Sequence, residues 1–419
     1  MAQKKSSNSK NTKKVIKGAK KLAKKSPALF IVLLIVIIVA LAIGAGGYFV
    51  YTNYFAPKKE QETSQISSSE PVSSEPISSS IPSSSVAPSS SSSTSAYIGE
   101  LEGIDINFLE LGNKYTGDST FIKAGSVDIL IDAGSRQNSA NAISTFVDQY
   151  CTDGVLEYVI ATHAHQDHIA GFVGSNAAPG IFKHYKIDTL IDFSLTNATS
   201  QIYNNYVSLR DEKIASGDIA HHYTANDCIQ GTNGAKKEYT LADGIKMAIL
   251  DQKFYRETTS DENDYSVCAL FSQGNNHYLF TGDLEKDGEA SLVASNNLPE
   301  VVLFKGGHHG SYTANTDTLL SVIKPKNVCI CCCAGSDEYT KTPENMFPAQ
   351  AAINRIGKYT DKVYVTTVVS DDDKGYKSMN GNIAFHCAKG LEYTITGSNN
   401  SLILKDTDWF KSNRTWPTN

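Results

Sequence analysis

Acidic residues are absent from the first 25 positions, and charge of either sign is absent from Ala28 to Tyr51. Both absences exclude these stretches from a globular domain. The first carries ten lysines. The second, about 24 residues of mostly Leu, Ile, Val, Ala and Phe, is long enough to cross roughly 30 Å of hydrocarbon as a helix. Tyr48, Phe49, Tyr51, Tyr54 and Phe55, at its end and just beyond, read as an interfacial aromatic belt. The segment is therefore expected to comprise a basic cytoplasmic tail (residues 1–26) and an uncleaved transmembrane signal anchor (27–55). By the positive-inside rule, everything beyond the anchor then lies outside the cell. A cleaved signal peptide is the rival, but its apolar core is shorter, about 7–15 residues. No cysteine closely follows the span, which disfavours a lipoprotein. Residues 56–97 have little apolar content and are rich in serine, with Pro71, Pro76, Pro82 and Pro88. Burial there cannot repay the entropy of ordering, so this tract is expected to be a disordered tether reaching roughly 35 Å.

Basic charge is also scarce beyond the tail. Setting aside the ten N-terminal lysines takes the formal net charge from −6 for the whole chain to −16 for residues 26–419. Such a domain lacks the broad basic face that sequence-independent nucleic-acid binding needs, so a nucleic acid would have to be held locally. Eight cysteines in an outside domain would ordinarily suggest disulfides. Here Cys329, Cys331, Cys332 and Cys333 fall in one run that reads as a buried strand, Asn327 to Ala334. Adjacent strand residues point to opposite faces and pair poorly, so these four are read as small buried hydrophobes. Cys151, Cys228, Cys268 and Cys387 leave one disulfide open.

Histidine is scarce as well, with ten in the chain, yet three of them lie in Ala161-Thr162-His163-Ala164-His165-Gln166-Asp167-His168. This run directly follows an apolar segment, Leu156 to Ile160, that reads as a buried strand. His163 and His165, two apart on a loop, can converge on one ion, and Asp167 and His168 can hold a second. Imidazole with carboxylate suits zinc or a similar divalent metal. Strand-like runs recur along the chain (Ile104 to Leu111, Ser119 to Lys123, Val127 to Asp132, Tyr278 to Gly282, Val301 to Lys305, Val328 to Cys333), separated in places by helical patterns. The alternation predicts an α/β protein with sheets covered by helices. The domain is taken as residues 98–400, and 401–419 as a C-terminal tail expected to pack onto it.

His163-Ala164-His165-Gln166-Asp167-His168 resembles the HxHxDH signature of the metallo-β-lactamase superfamily. Ile129-Leu130-Ile131-Asp132-Ala133-Gly134 resembles that family's early strand, and Leu279-Phe280-Thr281-Gly282-Asp283 the strand delivering its bridging aspartate. Phe304-Lys305-Gly306-Gly307-His308-His309-Gly310-Ser311, Gly117-Asp118-Ser119 and Asn263-Asp264-Tyr265-Ser266 are similar to elements of its ComEC-like, competence-protein branch. The branch commonly has a His-Pro pair where this chain reads Asn345-Met346-Phe347-Pro348, so that histidine is missing. Nor does His184, His221, His222 or His277 look like the third histidine used in much of the superfamily.

The resemblance implies an αββα metallo-β-lactamase sandwich holding two divalent ions, Zn2+ with Mn2+ as the alternative. His163, His165 and one of His308 or His309 would bind the first ion, and Asp167 and His168 the second, with Asp283 between. Asp132 would brace the histidine loop, and Ser311 would cap the next helix or donate to substrate. Lys305 would offer a positive charge to a phosphoryl oxygen or stand as a solvated surface lysine. The expected function is a membrane-anchored extracellular phosphodiesterase or nuclease acting on DNA or a cell-wall polymer, with no obligate protein partner evident. The alternatives are an esterase or lactamase acting on carbon centres, and a surface accessory protein without turnover.

Overall fold

A computed structural model of the protein describes residues 102–418, except Asp373. The tail, anchor and tether expected for residues 1–97 lie outside the described residues. Among the described residues no helix is long and apolar enough to cross a membrane.

Six strands come first: β1 (Ile104–Phe108), β2 (Thr120–Ala124), β3 (Val127–Ile131), β4 (Val155–Ile160), β5 (Lys186–Asp192) and β6 (Ile219–Thr224). Eight follow in a second sheet: β7 (Glu238–Ala242), β8 (Ile245–Ile249), β9 (Ala269–Gln273), β10 (Asn276–Phe280), β11 (Leu303–Lys305), β12 (Asn327–Ala334), β13 (Val363–Val369) and β14 (Tyr376–Ser378). The chain then returns to the first sheet with β15 (Ile383–Cys387) and β16 (Tyr393–Gly397). The sheets run β16-β15-β1-β2-β3-β4-β5-β6 and β14-β13-β12-β11-β10-β9-β8-β7. Both are mixed. β3, β4, β5 and β6 are parallel neighbours in one, and β10, β11, β12 and β13 in the other.

The helices are α1 (Ser139–Val147), α2 (Gln166–Val173), α3 (Ile181–His184), α4 (Gln201–Ser216), α5 (Ala225–Gln230), α6 (Lys286–Ser295), α7 (Asp317–Ile323), α8 (Gln350–Ile356) and α9 (Asp408–Asn413). Strand periodicity decides what each sheet face buries. In β12, Cys329 and Cys331 join a core shared by the two sheets, together with Tyr278, Phe280 and Leu303. Val328, Ile330 and Cys332 instead join a second core with Leu279, Phe304, Leu320 of α7 and Ile353 of α8. All eight residues of β12 are buried, and all eight cysteines are buried and free. The open disulfide is thus absent, and the cysteine run packs as small apolar side chains.

The Asn263-Asp264-Tyr265-Ser266 element is not part of a strand. Glu262–Tyr265 form a 3-10 turn, and β9 begins at Ala269. The reason is capping: Asp264 Oδ1 accepts from Glu285 N and Gly288 N at 3.1 and 3.2 Å, holding the start of α6. Residues 401–418 pack against the domain. Leu404 and Phe410 are buried in the second core, and Arg414 Nε donates to Pro348 O at 3.0 Å.

Helix α6 also anchors the segment after the second histidine pair. Its buried Glu289 accepts from Asn315 N (2.6 Å) and from Thr316 N (2.8 Å). Asn315 in turn holds Gly307 through both its N–H and its carbonyl. Burial raises the Glu289 carboxyl from 4.5 to about 7, with the hydrogen bonds from Thr316 and Asn315 opposing. A carboxyl raised on folding binds more protons folded than unfolded. Its stabilising term is therefore full below pH 4.5 and is lost as pH rises toward 7, by about 3 kcal/mol. Urea unfolding is expected to show this decline between pH 5 and 7.5, and Glu289→Gln to flatten it; an unchanged slope in the variant would contradict the assignment.

Candidate metal centre

The parallel strands of each sheet deliver their following residues to one rim. Asp132 follows β3, His163 and His165 follow β4, Asp283 follows β10, and His308 and His309 follow β11. Asp118 precedes β2, which runs antiparallel to β3, so it reaches the same rim. Asp167 and His168 sit in the first turn of α2, whose entry is His165.

Backbone strain concentrates here. Asp132, His308 and His309 adopt φ of 58°, 45° and 52°, a left-handed region that costs a non-glycine residue about 1–3 kcal/mol. Hydrogen bonds hold Asp132 in place: Oδ1 accepts from Thr162 N (2.8 Å), and Oδ2 accepts from Thr162 Oγ1 (2.7 Å) and His168 Nδ1 (2.7 Å). Asp132 thus orients both the loop after β4 and the imidazole of His168. At Gly282 (φ 54°) a Cβ would come within 2.8 Å of Ser266 Oγ and 2.9 Å of Thr162 Cβ. Only glycine lets this turn pass close enough to bring Asp283 inward.

Asp283 is the hub. Its Oδ2 lies 3.0 Å from His168 Nε2, 3.1 Å from His309 Nε2 and 4.0 Å from His308 Nε2. Asp167 Oδ2 is 3.4 Å from His309 Nε2. Beside them, His163 Nε2 and His165 Nδ1 are 3.0 Å apart, and the rings of His163 and His168 are 4.2 Å apart. His309 is fixed from behind by Cys331 O, 2.9 Å from Nδ1.

His309 thus lies against Asp167 and Asp283, with its ring 5.2 Å from that of His168. His308, next in sequence, turns its Nδ1 to Glu285 (3.1 Å). Lys305 is neither a surface lysine nor a charge offered outward. It is 3% exposed, and its ammonium contacts Asp118 while lying 3.1 Å from Gly282 O and 3.4 Å from Asp283 Oδ1. Ser311 does not cap the following helix; α7 begins after Thr316, and Ser311 Oγ bonds Thr313 Oγ1 at 2.8 Å. His184 pairs with Asp148, His222 with Asp192 and His277 with Ser272.

Opposed charges set the protonation states. Burial would raise the Asp283 carboxyl, but His168, His309 and Lys305 outweigh it and hold it well below the usual range. Burial would likewise lower His168 and His309, yet Asp283 with Asp132 or Asp118 raises both well above 6.5. His163 moves the other way, lowered by burial and then by His168 and His165. Four buried carboxylates (Asp118, Asp132, Asp167 and Asp283) thus face one lysine and a set of imidazoles.

A divalent ion fits this donor set. Ligand atoms of Asp118, His168, Asp283 and His309 all lie within 4.8 Å of one another, and every one of these residues is buried. His309 Nε2 has no hydrogen-bond partner among the described residues, and the Asp118 oxygens meet the charges of Lys305 and His309. Buried charged groups of this kind are ordinarily paired or coordinate metal.

Comparison with known proteins agrees with the geometry. A family model matches residues 112–180, which carry Asp118, Asp132 and the His163–His168 run. It is that of the metallo-β-lactamase superfamily. Members of that superfamily are metal-dependent hydrolases, and two mixed sheets flanked by helices are consistent with its fold. Among curated proteins the chain is 26% identical to ComE operon protein 3 of Bacillus subtilis over 187 residues, covering 42% of this chain and 20% of that protein. It is 25% identical to Recombination protein 2 of Haemophilus influenzae over 265 residues, covering 63% and 28%. The chain thus matches between a fifth and under a third of these relatives' lengths. Among solved structures, the metallo-β-lactamase fold protein YhfI from Bacillus subtilis aligns with 10% identity and a TM-score of 0.39, covering 64% of this chain and 96% of that one.

Sequence reasoning assigned no site role to Asp118, Tyr339, Glu285 or Phe347. Asp118 had a signal, the Gly117-Asp118-Ser119 element. Phe347 occupies the segment without the branch histidine, its ring 5.7 Å from both His308 and His309.

Proposed function

We propose that the protein is a membrane-anchored extracellular metal-dependent hydrolase acting on a phosphodiester. The observation that carries it is the convergence of His168 and His309 on Asp283, with Asp167 against His309 and with His163 and His165 beside them, at one buried rim. His163 and His165 would hold one ion, and Asp167, His168 and His309 another, with Asp283 between them. When bound, such ions supply a water of lowered pKa and positive charge toward the substrate's oxygens. The chain's own residues prepare for this. Asp132 accepts a hydrogen bond from His168 Nδ1, leaving Nε2 toward the centre. Cys331 O does the same for His309. Lys305 neutralises Asp118 and Asp283 from below, so the rim keeps little net charge before an anion arrives. The phosphodiester reading is supported by the ComEC-like elements and by likeness to ComE operon protein 3 and Recombination protein 2. The anchor and the outside location rest on the sequence of residues 1–55 alone.

The test is hydrolysis of bis-p-nitrophenyl phosphate by the purified, metal-loaded protein beside His165→Ala. Turnover is expected in the wild type, with a fall of roughly 100-fold or more in the variant. Metal-loaded wild type that hydrolyses carbon esters but no phosphodiester would move the reading to an esterase or lactamase.

A further inference from the structure

Tyr339 lies five residues beyond the end of β12, on the same rim. Its hydroxyl donates to Asp167 Oδ2 at 2.5 Å, while its side chain remains 51% exposed. Its ring lies 5.4 Å from that of Phe347, which in turn packs on His308 and His309. A tyrosine with half its surface in water has no packing need to turn its hydroxyl toward a buried carboxylate. Nor does the loop need that bond as its anchor. The neighbouring Glu338 already accepts from Thr116 N at 2.9 Å and pairs with Arg136 at 2.6 Å. Arg136 is held further by Tyr115, its guanidinium 3.9 Å from that ring's centroid.

We propose that Tyr339 is a positioning residue of the candidate metal centre, fixing the Asp167 carboxylate toward a bound ion through its hydroxyl. The inference rests on the metal-centre reading above. Partners of metal-ligating carboxylates orient them, and losing one typically weakens the ion by about 10–100-fold. Phe347 and Glu338 hold the ring and the backbone; the hydroxyl is what reaches Asp167.

The test compares full-length wild type with Tyr339→Phe, which keeps the ring and its stacking on Phe347. Metal-free protein is titrated with Co2+ as a spectroscopic probe, and with Zn2+ in competition with a chelator. The expected result is two ions on the wild type, one of them bound about tenfold more weakly in Tyr339→Phe. The Co2+ visible spectrum should change, while the melting temperature of the metal-free variant stays at the wild-type value. Two ions on both proteins with equal affinities and equal Co2+ spectra would overturn the inference while leaving the metal centre standing. A variant that melts lower without metal, with unchanged Co2+ binding, would overturn it in favour of a structural bond. A wild type that binds no ion would overturn both.

Discussion

Asp283→Asn is expected to lower hydrolytic turnover by roughly 100-fold or more and to remove at least one bound ion. Asp283 contacts His168, His309 and Lys305, and the ring of His168 lies 4.2 Å from that of His163. Asparagine has nearly the same shape, so the loss reads the charge and not a cavity. The substitution also removes the leading charge that raises His168 and His309. Both imidazoles should then titrate at lower pH in the metal-free variant, which NMR of the ring protons would record. Wild-type metal content and turnover in Asp283→Asn would contradict its place at the hub.

Lys305→Met is expected to show its largest effect in the absence of metal. The ammonium is buried against Asp118 and Asp283, and burial, which alone would lower its pKa, is outweighed by these two carboxylates. Removing one partner from a buried ion pair leaves an uncompensated charge, costing about 3–5 kcal/mol. Bound divalent ions would take over part of the neutralisation, so the deficit should shrink when the protein is metal-loaded. Binding itself adds about 2.7 kcal/mol at a hundredfold excess over Kd. Urea unfolding of both proteins with and without Zn2+ measures the difference. An equal deficit in the two conditions would mean that Lys305 and the ions do not share carboxylates.

What the sequence made legible were the strands with strong apolar runs and the residues just after them. β3, β4, β10, β11 and β12 were all marked this way, and the first four end within about three residues of a site residue. β6, β7 and β16 gave no such signal. They are outer strands whose exposed positions carry polar residues, as His221 and Glu238 do. β5 lies inside its sheet, but Lys186 and Asp188 break its apolar run. The HxHxDH run named its residues, yet not that Gln166 opens a helix. Which of His308 and His309 turns to Asp283 depends on a left-handed backbone at both, which histidine does not advertise. Tyr339 reaches Asp167 across 172 positions of chain, a contact that no local pattern encodes.

On this account the rim holds metal through Asp283 and its histidines. The direct measurement is the metal content of purified wild type and Asp283→Asn after loading with Zn2+ and removal of unbound ion. About two ions per wild-type chain, with one or none on the variant, is the predicted result. A wild type without bound metal, or a variant that retains the full complement, would contradict it.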